Sequence, residues 1–333
     1  CKVSLLKLSF LKKITAILVI SALVMFTAVA SAGDPPCTSG DICVNETGWW
    51  RDGGAFNASG TPIQDAVNNA HSGETICVKD GMYTENVDVN VANLTIISEN
   101  GSTSCIVQAA RTSDHVFEVT ADYVNIAGFT AKGATSYKKA GIYLDGVEHC
   151  YISDNNASNN SCGIYLYSSS NNTLTGNTAN SNDGYAIYLY SSSNYNTLMG
   201  NTANSNNHDG IYLSSSSNNT LMGNTANSNN DYGIYLSSSS NNNLTNNTAN
   251  LNNDYGIYLR YSSNNTLNNN TMSGNKYNFD VYSGSLSGYI QNIDTSNTVD
   301  GKPVYYWINQ QDKQITDDAG YVGVVNSTNI TVK

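Results

Sequence analysis

A short segment, Ile-Tyr-Leu preceded by Gly or Ala, recurs six times in this 333-residue chain and constrains its fold more than any other feature. Successive isoleucines of the segment are 22, 23, 24, 23 and 23 residues apart. The six copies begin at Gly141, Gly163, Ala186, Gly210, Gly233 and Gly256. A nearly fixed period of this length indicates a solenoid, in which each unit buries its apolar face only against its neighbours.

A second set of positions keeps the same period. It holds one apolar residue per repeat, at Ile152, Leu174, Leu198, Leu221, Leu244 and Leu267. Three residues after each of these stands an asparagine, at Asn155, Asn177, Asn201, Asn224, Asn247 and Asn270. Because neighbouring coils stack about 4.8 Å apart, we expect each asparagine amide to bond to the next one along the column.

The alternation within the repeated segment predicts a strand, with Ile and Leu on the inner face and Tyr on the outer face. The intervening runs of Asn, Ser and Asp favour turns and form helices poorly. A leucine-rich repeat would need a different strand pattern, and a left-handed β-helix of hexapeptides would need a different period. The sequence therefore predicts an all-β fold, a right-handed parallel β-helix (a solenoid with coils of 22–24 residues).

The β-helix is predicted to occupy residues 61–333, with an N-terminal capping helix. Pro62 stands at the start of a short amphipathic segment that precedes the predicted strand Thr75-Ile76-Cys77-Val78. A helix there would cover the open end of the sheet. The regular repeats extend over residues 141–275.

The repeat breaks near the C-terminus. We expect an insertion at residues 277–320, in which Asp300-Gly301 forms a hairpin turn. Coil-like sequence resumes at Tyr321. Because the sequence begins with Cys1 and stops at Lys333, where another coil should start, we expect a chain truncated at both ends.

The first 32 residues have the pattern of a secretory signal peptide. Four lysines precede the apolar run Ile14 to Val29, and Ala30-Ser31-Ala32 offers small residues for cleavage. An uncleaved membrane anchor is the alternative, because the run approaches the length of a bilayer span. Residues 33–60 then form an N-terminal segment. Both interpretations predict an extracellular or cell-surface location, with the periplasm as an alternative.

The charge balance disfavours one class of partner. The net charge is −11, and loss of the four leader lysines would leave −15. A surface of this sign repels nucleic acid. Glycosylation is permitted by sequons at Asn45, Asn57, Asn93, Asn218, Asn243, Asn264, Asn326 and Asn329.

Six cysteines follow the leader, and an even number in an oxidising compartment suggests up to three disulfides. Fifteen pairings are possible. We favour Cys37 with Cys43, Cys77 with Cys105, and Cys150 with Cys162.

Several of these segments carry a family resemblance. Ile63-Gln64-Asp65-Ala66-Val67, the segment Gly81 to Val87, and the Gly-Ile-Tyr-Leu coils resemble the pectate-lyase-like β-helix superfamily. Together with Asp300 to Tyr306 and Ala319 to Val322, they resemble the NosD-type family common among archaeal cell-surface proteins. The resemblance implies a periplasmic copper-binding role for some members and an adhesive or structural role for many surface relatives.

Four aspartates recur just before successive repeated strands, at Asp183, Asp209, Asp231 and Asp254. Carboxylates on adjacent coils could act as an acid/base pair in a polysaccharide lyase or glycoside hydrolase, or together hold Ca²⁺. A turn-forming role, interchangeable with Asn, is favoured over both.

Copper requires soft or imidazole ligands. The four histidines do not recur in a column, whereas Met199 and Met222 are one coil apart. Ordinary packing explains such a pair better than a copper site does.

The outward tyrosines are the most function-like feature: Tyr143, Tyr165, Tyr188, Tyr212, Tyr235 and Tyr258. They could bind sugar rings or a protein surface, or only stabilise the sheet by stacking.

These features predict a non-enzymatic, structural or adhesive β-helix protein without a required cofactor, whose partners are surface glycans or cell-envelope components. A membrane would be contacted only through the N-terminal segment or through sequence beyond Lys333. A polysaccharide-cleaving enzyme and a copper-delivery protein are the alternatives.

Overall fold

The computed structural model describes Cys37, residues 39–315 and residues 318–333. The predicted signal peptide, residues 1–32, lies outside the described residues. None of the helices in the described part of the chain has the length and apolar character needed to span a membrane.

The chain winds as a right-handed parallel β-helix and is almost entirely β-structure, which confirms the predicted fold class. Each regular coil contributes one strand to each of two long sheets and a single bridging residue to a third side.

We call the first of these the leucine sheet. It has 13 strands, and each strand from Thr173–Thr175 to Thr266–Asn268 contributes one buried Leu between two less buried residues. In chain order, its strands are Ile42–Asn45, Gly48–Arg51, Asn57–Ala58, Thr75–Val78, Thr95–Ser98, Asn125–Ala127, Tyr151–Ser153, Thr173–Thr175, Thr197–Met199, Thr220–Met222, Asn243–Thr245, Thr266–Asn268 and Asn292–Ile293.

We call the second the tyrosine sheet. It has nine strands, and the repeated Ile and Leu side chains are fully buried beneath it. In chain order, its strands are Val87–Val89, Phe117–Val119, Ala140–Asp145, Cys162–Tyr167, Ile187–Tyr190, Ile211–Ser214, Ile234–Ser237, Tyr255–Arg260 and Tyr277–Tyr282.

The third side changes along the solenoid. Early coils form a short sheet of Gly81–Thr84, Cys105–Gln108 and Thr130–Lys132. In the regular coils this side narrows to single bridges between threonines, such as Thr202 with Thr225. The reduction explains why the sequence repeat shows only two strand-like segments per coil.

The capping helix α1 spans Pro62–Asn68 and buries Ile63, Ala66 and Val67 against the first coils. Its N-terminal amides are capped from a distance, because Glu85 accepts hydrogen bonds from the backbone N–H groups of Ile63 at 3.2 Å and Gln64 at 2.8 Å. The predicted cap is therefore present, and a buried carboxylate supplies the acceptor that no residue at the helix start provides.

The β-helix begins earlier than predicted. Strand Ile42–Asn45 pairs in parallel with Thr75–Val78. On its other edge, Ile42–Asn45 pairs antiparallel with Gly48–Arg51. Residue 61 is therefore not the first residue of the solenoid. The early strands escaped prediction because they do not share the period of the later coils.

The expected insertion at residues 277–320 is also corrected. Tyr277–Tyr282 and Asn292–Ile293 extend the tyrosine and leucine sheets by one more coil, with Phe279 and Ile293 in the apolar columns. The predicted turn at Asp300-Gly301 does join antiparallel strands, Thr298–Val299 and Lys302–Ile308. The periodicity was missed because this coil uses different apolar residues and includes a 3₁₀ helix at Leu286–Tyr289.

After the hairpin the chain pairs with a shorter period. Lys302–Ile308 lies parallel to Tyr321–Val325, and Gln311–Ile315 lies parallel to Thr328–Val332. Val304 pairs with Tyr321 and Gln311 with Thr328, a spacing of 17 residues in both cases. Parallel pairing in this part of the chain thus starts at Val304, before Tyr321.

The buried turns are held by polar columns. The predicted asparagine column is confirmed and continues to Asn297. Asn224 shows the pattern: its Nδ2 donates to Leu198 O at 2.9 Å and to Asn247 Oδ1 at 3.0 Å, while its Oδ1 accepts from the N–H and Nδ2 of Asn201, each at 3.0 Å. Two further buried asparagine columns and a serine column were not predicted. They contain Asn160, Asn182, Asn206, Asn229 and Asn252; Asn172, Asn196, Asn219, Asn242 and Asn265; and Ser169, Ser193, Ser216, Ser239 and Ser262.

Candidate functional site

The six repeated tyrosines form one continuous row on the outer face of the tyrosine sheet. Their Cα atoms are in register from strand to strand. Neighbouring ring centroids are 4.8–5.4 Å apart, and the rings of Tyr188, Tyr212, Tyr235 and Tyr258 are nearly parallel, with interplanar angles of 4–9°. Strand spacing alone fixes this stack, because identical side chains on adjacent strands must lie about 4.8 Å apart.

Stacking hides most of each ring. Tyr165, Tyr188 and Tyr235 are only 7%, 4% and 9% exposed, and the other three tyrosines of the row are partly exposed. Burial raises the pKa of five of these phenols, those of Tyr143, Tyr165, Tyr188, Tyr212 and Tyr258, to about 12 for Tyr258. A ligand approaching the row therefore meets ring edges and protonated hydroxyl groups, since the ring faces are covered by neighbouring rings.

Two further columns flank the row, and sequence analysis missed both. On one side stand Tyr185, Tyr232, Tyr255 and Tyr277. The first three pack against the row at centroid distances such as 4.7 Å for Tyr185 and Tyr188, and Tyr277 packs against Tyr255 at 4.9 Å. On the other side stand Asp145, Tyr167, Tyr190, Ser214, Ser237, Arg260 and Tyr282. We call the row and its two flanking columns the tyrosine face. It holds more than half of the chain's 23 tyrosines.

Carboxylates bound the row at both ends. Glu118 occupies the equivalent position one coil before Tyr143, and Asp280 occupies it one coil after Tyr258. Burial and the nearby Asp88 raise the pKa of Glu118. The uninterrupted tyrosine row is thus limited to the six regular coils.

A cleft of about 270 Å³ opens at the edge of the tyrosine face, lined by Tyr137, Lys138, Cys162, Asp183, Tyr185 and His208 among others. The Lys138 ammonium lies over the rings of Tyr137, Tyr188 and Tyr190, 5.4–5.9 Å from their centroids. Tyr137 is 84% exposed, so its ring face is open to a ligand. The cleft therefore combines an exposed aromatic ring, a cation and polar side chains. Tyr137 and Lys138 lie before the regular repeats, so the repeat pattern did not predict that they would join Asp183 and His208 in one cleft.

The four aspartates do not form the predicted column. Backbone hydrogen bonds from coil to coil identify the equivalent residues. Asp254 and Asp231 are equivalent, since the N–H of Asp254 donates to Asp231 O at 3.0 Å, but the two preceding coils have His208 and Gly184 at the equivalent position. Asp183 comes one residue before Gly184, and Asp209 comes one residue after His208. Coil lengths of 23 and 24 residues differ in this loop, so sequence spacing alone misaligned them. The predicted calcium site from stacked carboxylates therefore lacks its geometric basis.

Asp209 differs from the other three because it is only 3% exposed. Its Oδ1 accepts a hydrogen bond from the backbone N–H of Tyr232 at 3.1 Å. Burial raises the pKa of this carboxyl to about 8, with smaller contributions from Asp231 and Asp254. Asp231 itself is half exposed and pairs with His208, with 2.8 Å between Oδ2 and Nδ1.

Met199 and Met222 are paired in register on the outer face of the leucine sheet, as predicted, and are 39% and 38% exposed. Their neighbours in the row are Thr175 and Thr245. Hydroxyl groups are weak ligands for copper, so the row supplies no additional soft ligand beside this pair.

The six cysteines are all free thiols in this structure, so the three predicted disulfides are not formed. Cys150 directly precedes a strand of the leucine sheet, whereas Cys162 begins a strand of the tyrosine sheet. Likewise, Cys77 lies in the leucine sheet and Cys105 on the third side. Of the three predicted pairs, the tertiary structure brings together only Cys37 and Cys43, and it places Cys77 beside both of them.

Comparison with known proteins supports the architecture. Residues 140–299 match the family model described as right handed beta helix region. Among solved structures, the chain is similar to pectate lyase Pel9A, with a TM-score of 0.56 and 17% identity over 82% of this chain and 71% of that one. It is similar to the Dettilon tailspike protein, with a TM-score of 0.56 and 15% identity over 87% of this chain and 68% of that one. It is also similar to an alginate lyase from Paenibacillus sp. str. FPU-7, with a TM-score of 0.51 and 16% identity over 83% of this chain and 97% of that one. A search of curated proteins gave no match.

Proposed function

We propose that this right-handed parallel β-helix protein, whose fold is similar to that of pectate lyase Pel9A, binds an extended carbohydrate along the tyrosine face in a non-enzymatic, structural or adhesive role. The observation that carries the proposal is the unbroken row of six tyrosines, which places one tyrosine in register at every regular coil. A surface that repeats about every 4.8 Å suits a polymer, since each coil can make the same contact with another part of it.

The chemistry of the face supports a sugar ligand. Tyrosine combines apolar area with a polar tip, which suits a sugar with both hydroxyl groups and C–H faces. The stacked rings supply hydroxyl groups, while the exposed Tyr137 ring at the cleft supplies an open aromatic face. The Lys138 ammonium beside it would favour an acidic group on the polymer. Two of the structural neighbours are lyases named for pectate and alginate, which is consistent with this ligand class.

We further propose an extracellular or cell-surface location. The signal-peptide pattern of residues 1–32 and the low content of charged residues support it.

The test uses a glycan array probed with the folded protein. Tyr212→Phe, Tyr235→Phe and Tyr258→Phe are combined in one variant, which keeps the stacked rings and removes three hydroxyl groups. We expect binding to weaken by about 10- to 2000-fold, because each of the three lost hydrogen bonds contributes about 0.5–1.5 kcal/mol. Tyr195→Ala is the matched control, since this ring is 61% exposed but lies outside the tyrosine face. Absence of binding by the wild-type protein, or equal binding by the triple variant, would contradict the proposal.

A polysaccharide-cleaving activity is the second candidate, and the cleft favours it. Lys138, Asp183 and His208 line one depression, and groups of these types serve in proton transfer. A lyase would release unsaturated products that absorb ultraviolet light, and a hydrolase would release reducing ends. Turnover that is lost in Asp183→Asn would support this candidate, whereas inactivity on polymers that the protein binds would exclude it.

A further inference from the structure

Two adjacent strands of the leucine sheet, Ile42–Asn45 and Thr75–Val78, place two cysteines side by side on its outer surface. Cys43 and Cys77 are in register on adjacent parallel strands. Their sequence neighbours Ile42, Ile76 and Val78 belong to the main core, so the thiols between them point away from it. Both cysteines are nevertheless buried, because another part of the chain covers them.

The covering segment consists of the described residues from Cys37 to Asp41. It is held by two hydrogen bonds between Asp41 and Thr75, of 2.9 and 2.8 Å. Gly40 passes so close to the sheet that a side chain there would begin 2.9 Å from Cys77 Cβ, and its φ of +124° also favours glycine. This path brings Cys37 over the strand pair, where its backbone N–H donates to Cys43 Sγ at 3.0 Å and its thiol donates to Cys77 O at 3.3 Å.

A carboxylate joins the thiols from the next coil. Glu99 directly follows the strand Thr95–Ser98, and its backbone N–H donates to Val78 O at 2.8 Å. The ligand atoms of Cys37, Cys77 and Glu99 all lie within 4.8 Å of one another. No other group of three His, Cys, Asp or Glu side chains in the described part of the chain meets this distance criterion.

The geometry and the ligand types together favour one ion. In tetrahedral zinc sites the Zn–S distance is about 2.3 Å, which puts ligand atoms about 3.8 Å apart, so shifts of about 1 Å would suffice. Calcium and magnesium favour all-oxygen sites, and copper(I) favours sulfur without carboxylate. Two thiolates and a carboxylate match zinc. The partial exposure of Cys37 and Glu99 leaves a route for the ion, while buried Cys77 anchors it.

We propose that Cys37, Cys77 and Glu99 bind one zinc ion, which fastens the segment before the first strand to the outer surface of the leucine sheet. Cys43, next to the Cys37 amide, is the nearest further thiol. The three ligands come from the covering segment and from two successive strands of the leucine sheet, so the ion joins parts of the chain that are far apart in sequence. The site is distinct from the tyrosine face, so the zinc proposal does not depend on the proposal of carbohydrate binding.

The experiment titrates the reduced, metal-free full chain with Co²⁺ and then with Zn²⁺. We expect one equivalent of Co²⁺ to produce the intense near-ultraviolet band of thiolate-to-cobalt charge transfer, and Zn²⁺ to remove it by displacement. Saturating Zn²⁺ should raise the thermal unfolding midpoint by about 5 °C, since an ion present at about 100 times its Kd stabilises only the folded state.

Two variants and a control make the result specific. Cys37→Ser and Cys77→Ser should each lose the charge-transfer band and the zinc-dependent rise in midpoint. Cys37→Ser removes a partly exposed side chain, so it keeps the test valid if Cys77→Ser fails to fold. Cys150→Ser removes a buried cysteine from a later coil and should retain both responses. Reduced wild-type protein that gives no charge-transfer band, or Cys37→Ser that binds Co²⁺ with wild-type affinity, would overturn the proposal.

Discussion

At the scale of single residues, the tyrosine face contains one carboxyl whose surroundings oppose its ionisation. Asp209 occupies the position that Tyr185, Tyr232 and Tyr255 fill in other coils, and it is buried among them. The folded protein therefore holds a proton on this carboxyl up to a pH of about 8. The unfolded chain releases it at a pH of about 3.9.

This difference predicts a pH dependence of stability that Asp209→Asn should remove. Between pH 4 and 8 the folded state binds more protons than the unfolded state, so the free energy of unfolding falls as the pH rises and levels off above pH 8. Between pH 5 and pH 9 we expect the free energy of unfolding of the wild type to fall by about 4 kcal/mol, a loss that the variant should not show. The Asn side-chain oxygen can still accept the Tyr232 N–H bond.

Urea unfolding at the two pH values measures the effect. Asp183→Asn is the control, because it removes an exposed carboxyl from the same corner of the solenoid and should follow the wild-type profile. Parallel pH profiles for wild type and Asp209→Asn would show that the buried carboxyl is not the cause.

At the scale of structural elements, the turns between strands are held by buried polar side chains that are fully hydrogen-bonded. Within the described residues, no buried side-chain nitrogen or oxygen lacks a hydrogen-bond partner. The asparagine columns achieve this because each amide has two donors and one acceptor oxygen, which match the groups offered by the coils above and below. Because these amides are buried, each of them must keep its hydrogen-bond partners, since an unpaired buried polar group costs about 1–3 kcal/mol.

Removal of one rung from an asparagine column should therefore cost more than one hydrogen bond. Asn224→Ala leaves the N–H and Nδ2 of Asn201 without their acceptor and Leu198 O without its side-chain donor. We expect a loss of about 2–4 kcal/mol in the free energy of unfolding. Asn230→Ala, at an exposed position of the same coil, should cost less than about 0.5 kcal/mol. Equal losses in the two variants would mean that the column does not hold the turns.

At the scale of the whole molecule, stability is shared between neighbouring coils. Every regular coil contacts the next through the same Ile, Leu, Tyr and Asn positions. The molecule is thus a stack of similar units between different ends: helix α1 at the start, and the hairpin with its 17-residue coils after residue 300. Such a stack tolerates a change in the number of units better than a change within one unit.

Deletion of one complete coil, residues 211–233, should therefore preserve the fold. It joins Gly210 to Ile234 and keeps every column in register. We expect an unchanged β-sheet circular dichroism spectrum per residue and a thermal midpoint within a few degrees of the wild type. Deletion of residues 211–222 removes half a coil and shifts the leucine sheet against the tyrosine sheet, so this variant should fail to fold. A half-coil deletion that matches the full-coil deletion in stability would contradict the solenoid account.

What the sequence determined by itself is the periodic part: the coil length, the inward Ile and Leu columns, the outward tyrosine row and one asparagine column. Strand alternation and stacking act over a few residues and one repeat, so a single chain displays them directly. Helix α1 followed from its local amphipathic pattern in the same way.

Only the tertiary structure decided which residues contact each other where coil lengths differ and in segments outside the repeat. A difference of one residue in loop length puts Asp209 and Asp231 at different positions of their coils. As a result the Asp209 carboxyl is buried and the expected acidic column does not form. The coil that contains Phe279 and Ile293 stays in register with the preceding coil, although these two residues replace the Ile and Leu of the repeat. Cys37, Cys77 and Glu99 come together although 62 positions separate the first from the last. These outcomes depend on how coils stack in three dimensions, because hydrogen bonding between strands aligns residues by coil and sheet position, whatever their spacing along the chain.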